Sequence, residues 1–362
     1  MYYKLPKINI NIKQIIKNFF TYDNDIKYDK ITNTLDFSQL EDITNNINEK
    51  IAHKIDNDGC DFFSFNDMKN IYNINHLICN KEYYEYINFL EIMNHFFRKK
   101  KFNNCLEISE NVFLKKLFDK INDDTNNEHN IINIFEKYDN HNSTITFENF
   151  LELVEYHFDF VFIDVNISNE KYHFIELLCI YISILMNVLN HNGDSIIKIP
   201  CVNLENVKIY YEIIFLLILI FEEVYICKPK CDSFDSNYFY LICKNKNIIF
   251  NKFDLFNITI NLFQNAIEKP DNKFVKSFLN IETPLFIQNK IIESFINLYH
   301  HKLEVYHQMY NLLLINNNNQ FNDKINILKS KQNNKLNYWK AENLYRENFC
   351  KICPEENTNE TF

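Results

Sequence analysis

The chain has 362 residues, of which 46% are hydrophobic and 16% aromatic, so it can bury the core of one large domain or of one core domain with extensions. Its net charge of −10 excludes a protein that holds nucleic acid through overall positive charge, since such proteins are basic as a whole. Only two glycines occur, Gly59 and Gly193, which is unusual for an α/β ligand-binding protein, where the backbone often approaches phosphate or cofactor closely.

The first 80 residues are predicted to form a helical extension. Ser38-Gln-Leu-Glu41 has the spacing of a capping box. Ile43, Ile47 and Ile51 then follow at helical spacing, and Gly59 is the predicted end of the helix. No group of chemically active side chains lies on this helix, so we predict that it only packs.

The region that follows, residues 82–119, opens with an amphipathic helix predicted over Glu82–Phe97. A short apolar strand over Asn104–Ser109 and a helix over Glu110–Asp119 come next. Strand, turn and helix are typical of the opening unit of a nucleotide-binding fold, although this turn contains no glycine. Any contact with RNA is predicted to use the one basic cluster of the chain, which lies between the first helix and the strand and consists of Arg98, Lys99, Lys100 and Lys101.

The strongest pattern covers Phe158–Lys244, where strands and helices alternate. This alternation predicts a doubly wound α/β sheet. The last two strands are joined by a short polar loop that contains Pro229, so we expect them to pair antiparallel. Ligands of such sheets bind at the carboxyl ends of the strands, where Asp164 and Lys198 are predicted to lie. The predicted strands are Phe158–Val165, Asp194–Ile199, Val224–Cys227 and Tyr238–Cys243, and the predicted helices are Phe174–Leu189 and Val207–Phe221.

Three further patterns bear on metal binding, and none of them predicts a site. Asp139–Glu148 is similar to a calcium loop, but it has no glycine at the sixth position and its glutamate is at the tenth position instead of the twelfth. His300, Glu304 and His307 lie near one face of a predicted helix, and solvated polar side chains explain them better than a metal does. A CxxC pair near the end of the chain has no second pair to complete a zinc site.

The cysteines and the apolar segments indicate a protein of the cytoplasm. The ten cysteines have no framework spacing and no signal peptide opens the chain, so we predict reduced thiols and a cytoplasmic location. The longest uninterrupted apolar run, Ile213–Phe221, is too short to span a bilayer, so we predict no membrane association. It fits a helix that packs on the sheet.

Three segments carry a family resemblance: Phe158–Asp164, Gly193–Lys198 and Val224–Cys243. The first is the strand that ends in an aspartate. The second is a glycine turn that leads into a strand with a lysine, and the third contains Lys228-Pro229, a loop with serines and a strand with Tyr and Cys. Together they cover about a quarter of the chain and resemble the FtsJ-like family of RNA 2′-O-ribose methyltransferases, in which that lysine is catalytic.

The resemblance implies an α/β fold with a Rossmann-like S-adenosylmethionine methyltransferase core and helical extensions on both sides. The core is predicted over residues 81–250, after an N-terminal extension over 1–80. A helical C-terminal extension over 251–315 follows, and then a polar linker, short helix and tail over 316–362. The implied function is a divergent, viral-type RNA (cap) 2′-O-ribose methyltransferase that uses S-adenosylmethionine, and a viral factory or virion is a further location that it implies.

The resemblance also assigns catalytic roles at four positions. Lys198 matches the base and Asp164 the residue that orients it and the methyl donor, whereas Asn88 stands where the family has a second lysine and Tyr238 where it has a glutamate. A lysine base needs a lowered pKa, which a neighbouring cation provides and a neighbouring carboxylate opposes. Without the second lysine, we expect Lys198 to stay protonated and methyl transfer to be weak or absent.

Cofactor contacts are implied for Glu107, Ser109, Asp139 and Asp164. The cofactor loop of the family carries proline and glycine residues, whereas the matching turn here, Glu110-Asn-Val, carries neither and would crowd a cofactor. We therefore expect the affinity for S-adenosylmethionine to be weakened or lost.

Two alternatives stay open on the sequence. Asp164 and Lys198 also fit a structural ion pair at strand ends, which is common in α/β sheets. The whole protein also fits a catalytically inactive pseudoenzyme that acts as a protein-interaction scaffold in a viral transcription, capping or virion complex. An open cleft between residues 109 and 164 would favour a cofactor, and side chains that fill it would favour a scaffold.

Overall fold

The structure of the protein is a computed structural model. It contains a seven-stranded sheet with helices on both faces, and a separate two-stranded sheet. It describes residues 1–8, 19–23, 38–58, 65–78, 83–98, 100–109, 114, 130–134, 146–165, 174–200, 207–247, 256–257, 259–260, 274–279, 282–315 and 317–343.

Nine strands occur in the described part of the chain. They are β1 (Tyr2–Lys4), β2 (Phe19–Asp23), β3 (Asn104–Ile108), β4 (Asn130–Asn133), β5 (Phe158–Asp164), β6 (Leu189–Pro200), β7 (Phe221–Cys227), β8 (Tyr238–Lys246) and β9 (Phe274–Leu279). The large sheet has the order β1-β7-β8-β6-β5-β3-β4, and β2 pairs with β9 in the small one.

Half of the neighbouring pairs in the large sheet are parallel, and two strands, β8 and β1, run in the opposite direction to the other five. Strands β4, β3, β5 and β6 are parallel to one another, while β8 is antiparallel to both β6 and β7. The antiparallel pairing of β7 and β8 confirms the expectation drawn from their short polar loop. This doubly wound sheet, with helices on both faces, is a Rossmann-like α/β core.

Eight α-helices surround the sheets within the described residues. Three of the four helices predicted for the core are confirmed as α3, α5 and α6, with ends that shift by no more than two residues. The eight are α1 (Ser38–Asp58), α2 (Phe65–Tyr72), α3 (Tyr84–Phe96), α4 (Phe147–Leu153), α5 (Phe174–Val188), α6 (Val207–Ile220), α7 (Leu285–Leu313) and α8 (Asn318–Asn343).

Both faces of the central strands are buried, because helices cover each side. In β5, Phe160 and Phe162 pack with Phe89 of α3 on one face, whereas Val161 and Ile163 belong to the larger cluster with α5 and α6 on the other. Side chains along a strand alternate between faces, so a strand buried on both sides has a continuous apolar sequence. This explains why the strong apolar runs predicted the core strands correctly.

The outer helices form a separate hydrophobic cluster. The predicted stripe of Ile43, Ile47 and Ile51 on α1 is buried there, together with Met309 of α7 and Phe321 of α8. The helix predicted from the capping box is therefore confirmed, and its apolar face packs as expected.

Local structure at both ends of the chain differs from the expectation. Residues 1–80 are not purely helical, since β1 belongs to the large sheet and β2 pairs with β9. Residues 251–315 likewise contain β9. At the other end, α8 is 26 residues long where a linker and a short helix were expected. Its predominantly polar sequence gives little helical signal, and tertiary contacts such as the buried Trp339 hold it in place.

The described part of the chain bears on two expectations, the absence of a membrane span and the presence of reduced thiols. No helix there is long and apolar enough to cross a bilayer. The described cysteines are buried free thiols, and burial raises the pKa of Cys105 to about 12. The calcium-like segment, the CxxC pair and all but Leu114 of the predicted helix Glu110–Asp119 lie outside the described residues.

Candidate functional site

Two neighbouring strand ends bring the predicted catalytic residues together. Asp164 is the last residue of β5 and is paired with Lys198 of β6 in the parallel register. Helix α3 packs over this face of the sheet, and Glu85 in its first turn reaches Lys198. The site therefore lies at the carboxyl ends of the strands, where ligands of doubly wound sheets bind.

The ammonium group of Lys198 lies between two carboxylates. Its Nζ donates to Glu85 Oε1 at 2.5 Å and to Asp164 Oδ2 at 2.9 Å. The side chains of Lys198 and Asp164 are 12% and 16% exposed, whereas that of Glu85 is 38% exposed. Asp164 thus holds the ammonium from inside, and Glu85 holds it from the solvent side.

These carboxylates determine the protonation state of Lys198. Burial by itself would lower the pKa of Lys198, but Asp164 and Glu85 together raise it above its ordinary value. Two charge-assisted hydrogen bonds favour the protonated form. Lys198 is therefore an ammonium at neutral pH, as the sequence predicted, and Glu85 is a second reason that sequence reasoning missed. The sequence does contain a signal for Glu85, because Glu85 and Asn88 are three residues apart on one helix and share a face.

The two substituted positions belong to the same cluster. The ring centroid of Tyr238 lies 4.7 Å from Lys198 Nζ and 5.2 Å from Lys228 Nζ, within the range of a cation–π contact. Asn88 Nδ2 donates to the Tyr238 hydroxyl at 3.2 Å. Asn88, Asp164, Lys198 and Tyr238 are therefore one connected set, although they are far apart in the sequence.

Asp232, in the loop between β7 and β8, holds this set in place. Its Oδ1 accepts from Asn88 Nδ2 at 3.1 Å and from the Tyr238 hydroxyl at 3.0 Å, and its Oδ2 lies 3.1 Å from Lys228 Nζ. Burial, with Asp232 and Glu85 nearby, raises the pKa of Tyr238 far above its ordinary value, so the phenol stays neutral and donates. Sequence reasoning missed Asp232 because its position depends on how the loop folds.

Three of the four residues predicted to contact a cofactor lie in the described part of the chain. Glu107 is fully buried, and its Oε1 accepts from the backbone N–H of Leu114 at 2.9 Å. The carbonyl of Ser109, just after β3, accepts from Asn133 Nδ2 at 3.0 Å. Both sit beside the end of β5, since β3 and β5 are neighbours. Asp139 lies outside the described residues, as do the turn at 110–113 and much of the cleft between residues 109 and 164.

The basic cluster lies at the opposite end of the sheet. It connects α3 to β3 and so is at the amino ends of the parallel strands. Lys100 Nζ donates to Asp194 Oδ2 at 2.5 Å, and the Asp194 side chain is fully buried. Lys198 follows four residues later on β6, about 13 Å further along the strand. The cluster therefore does not line the candidate site, and Lys100 is part of a structural ion pair.

Within the described residues, no group of three or more His, Cys, Asp or Glu side chains is placed to hold a metal ion. His300, Glu304 and His307 are exposed on α7. Glu304 accepts from Gln308 Nε2 at 3.3 Å, one turn further along the same helix.

Comparisons with known proteins find similar chains among the solved structures. No family model matches the chain, and no curated protein is similar to it in sequence. The crystal structure of human methyltransferase-like protein 13 in complex with SAH is similar with a TM-score of 0.30 and 10% sequence identity, over 53% of this chain and 94% of that chain. The description of the fold rests on the strand order of the large sheet.

Proposed function

We propose that the chain is a divergent S-adenosylmethionine-dependent RNA 2′-O-ribose methyltransferase of the FtsJ-like type, in which methyl transfer is weakened or lost. The Rossmann-like core and the connected set of Asn88, Asp164, Lys198 and Tyr238 support the family. The position of Lys198 between Glu85 and Asp164 supports the loss of activity and is the observation that carries the proposal.

The chemistry of methyl transfer explains why that position matters. A ribose 2′-oxygen attacks the methyl carbon of a sulfonium, the carbon–sulfur bond breaks as the oxygen–carbon bond forms, and the hydroxyl proton passes to a base. Lys198 as an ammonium has no lone pair to accept that proton. Tyr238 is a neutral phenol that already donates its own proton to Asp232. Both groups therefore hold protons where the reaction needs a proton acceptor.

The residues predicted to hold S-adenosylmethionine fit it poorly. Such a cofactor needs polar acceptors directed into the pocket and close approach of backbone at the first turn. Here the carboxylate of Asp164 accepts from Lys198, and that of Glu107 accepts from the backbone of Leu114. Asp164 Oδ2 and Glu107 Oε1 are therefore directed to donors of the chain itself, which supports weakened cofactor binding.

Calorimetry of S-adenosylmethionine binding to the full chain, with Asp164→Ala as control, tests the cofactor part of the proposal. We expect a dissociation constant in the millimolar range, whereas no binding at millimolar ligand would contradict the enzyme proposal and favour the scaffold. Micromolar affinity that Asp164→Ala abolishes would contradict the loss of cofactor affinity and show that the altered loop still works.

Methyl transfer to capped RNA, compared between the wild type and Glu85→Gln, tests the catalytic part. Removing one carboxylate lowers the pKa of Lys198, and each unit makes about tenfold more of the neutral amine available at a fixed pH near neutrality. We expect slow transfer that rises by about that factor in Glu85→Gln. Fast wild-type transfer that needs Lys198 and is unchanged by Glu85→Gln would contradict the proposed role of Glu85.

The second candidate is a catalytically inactive scaffold in a viral transcription, capping or virion complex. The network in which Asp232 joins Asn88, Tyr238 and Lys228 favours it, because these polar groups bond to one another. No cofactor binding and no transfer to any RNA, with assembly of the complex unaffected by Lys198→Met, is the result expected for a scaffold.

A further inference from the structure

A cavity of about 400 Å³ lies beside the candidate site. The β7–β8 loop, α7, α8 and the segment after α2 border it. Tyr238 lines the cavity and also contacts Lys198, so the cavity adjoins the carboxyl ends of β6 and β7. Its volume is within the range of small-molecule sites, roughly 300–1,000 Å³.

Aromatic side chains form much of its wall. Nine of the bordering residues are Phe, Tyr or Trp. Tyr338 is 60% exposed, and its ring centroid lies 5.2 Å from Lys230 Nζ. Trp339 is 1% exposed and donates its indole N–H to Glu91 Oε2 at 2.7 Å, so it forms a fixed part of the wall. An exposed ring beside a rigid aromatic wall is suited to stacking on a planar ligand.

The same wall is rich in positive charge. Among the described residues of the wall, Asp232 is the one carboxylate, and it is paired with Lys228 and accepts from the hydroxyls of Ser236 and Tyr238. Lys230 is paired with Glu342 at 2.8 Å, so the excess positive charge of the described wall comes from Lys302 and Lys335, opposite in sign to the −10 of the whole chain. The lysines that border the cavity are Lys228, Lys230, Lys302 and Lys335.

His301 of α7 also borders the cavity. Burial, and then Lys335 and Lys228, lower the pKa of His301 below its ordinary value, while Glu304 on the same helix opposes them. Lys335 is exposed on α8. Lys302 donates to neutral acceptors, the Asp235 carbonyl at 3.2 Å and the Asn237 amide oxygen at 2.9 Å.

We propose that this cavity binds a nucleotide, with the base stacked on the aromatic wall near Tyr338 and the phosphate held by Lys335, Lys302 and His301. An apolar ligand would not need Lys302 and Lys335 at the wall, and a bare phosphate would not need nine aromatic residues. The nucleotide is either a free one or the terminal nucleotide of an RNA, since both present the same base and phosphate. The site goes beyond the proposed function, because it requires neither S-adenosylmethionine nor methyl transfer.

Trp339 makes the proposal directly measurable, because it is the only tryptophan in the chain and lines the cavity. We would titrate the full chain with a nucleoside, inorganic phosphate, a nucleoside monophosphate and a short 5′-phosphorylated RNA, and follow Trp339 fluorescence and heat of binding. The nucleotide is expected to quench Trp339 and to bind at least tenfold tighter than nucleoside or phosphate alone. Tighter binding of the RNA identifies an RNA end as the source, and equal binding identifies a free nucleotide.

Two variants locate the binding site, each with a matched control. Tyr338→Ala is expected to weaken nucleotide binding at least fivefold through lost stacking, and Lys335→Ala to weaken it at least threefold and reduce its salt dependence. Tyr156→Ala and Lys290→Ala remove an exposed tyrosine and an exposed lysine elsewhere, and should leave binding unchanged.

Three results would overturn the proposal. They are no quenching and no heat at millimolar nucleotide, equal binding of phosphate and nucleotide, and displacement of the nucleotide by S-adenosylmethionine, which would place it in the cofactor site. Failure of the methyltransferase proposal has a separate signature, since it is the absence of cofactor binding and of methyl transfer while the nucleotide still quenches Trp339.

Discussion

At the scale of single residues, the chemistry of the candidate site depends on the face that α3 presents to Lys198. The family resemblance predicts a cation on that face, which would lower the pKa of the catalytic lysine. The chain places a neutral amide there, Asn88, and a carboxylate one turn earlier, Glu85. Together with Asp164, this reverses the electrostatic environment of Lys198 from one that releases a proton to one that retains it.

A second acidic residue of α3, Glu91, has a structural role, and its removal should measurably lower the free energy of unfolding. It is 2% exposed and accepts from the Tyr2 hydroxyl at 2.5 Å, the Lys230 N–H at 2.7 Å, the Cys231 N–H at 3.1 Å and the Trp339 indole at 2.7 Å. Glu91→Leu would leave these buried donors without their acceptor. We expect a loss of about 4 kcal/mol in the free energy of unfolding, measured by urea denaturation with Trp339 fluorescence.

A surface pair gives the control for that measurement. Glu293 is 58% exposed on α7 and pairs with Lys290 at 2.6 Å. Glu293→Gln should change the free energy of unfolding by less than about 0.5 kcal/mol. Equal losses for the Glu91 and Glu293 variants would show that Glu91 does not have the structural role described.

At the scale of elements, β1 is a strand of the large sheet that the sequence did not predict. It pairs with β7 over three residues, and its Lys4 forms an ion pair with Glu223. Lys244 of β8 contacts the same carboxylate at 3.1 Å. Electrostatics therefore reinforces a short backbone ladder that joins the start of the chain to the sheet.

This arrangement predicts that acid releases β1. The hydrogen bond from Lys4, with Lys244, lowers the pKa of Glu223 from 4.5 to about 2. A depressed carboxyl pKa stabilises the folded state above the unfolded value, and that contribution is lost as pH falls from about 5 toward 2. Water screens this exposed pair, so we expect about 1 kcal/mol. The hydrogen-exchange protection factors of the β1 amides, corrected for the intrinsic pH dependence of exchange, should fall over that range, and Glu223→Gln should remove this fall; a fall that persists in Glu223→Gln would contradict it.

Neighbouring lysines in the turn between α3 and β3 should behave differently. Lys100 neutralises the buried carboxylate of Asp194, whereas Lys101 is exposed. Lys100→Met should therefore lower the free energy of unfolding by about 3 kcal/mol, and Lys101→Met should change it by less than about 0.5 kcal/mol. Similar stability of both variants would contradict the structural role of Lys100.

We propose that this basic face binds RNA through Arg98, Lys99 and Lys101. RNA binding should therefore weaken in Lys101→Met.

At the scale of the whole molecule, the sequence predicts those features of the fold that follow from hydrophobic periodicity and from the positions of strand ends. The core strands and helices between Phe158 and Lys244 were predicted because buried strands and their crossover helices have long apolar patterns. The pairing of Asp164 with Lys198 followed from their positions at strand ends. Strand β1 is too short, and α8 too polar, to give such a signal. Asp232 depends on tertiary packing of a loop, which no local pattern encodes.

The central claim is that Lys198 is held as an ammonium by Glu85 and Asp164. The most direct test is an NMR titration of the Lys198 side chain in the wild type and in Glu85→Gln, with Lys198→Met to assign the signal. We expect a pKa above the ordinary lysine value in the wild type and a lower one in Glu85→Gln. A wild-type pKa near neutrality, unchanged by Glu85→Gln, would contradict the claim and identify Lys198 as a competent base.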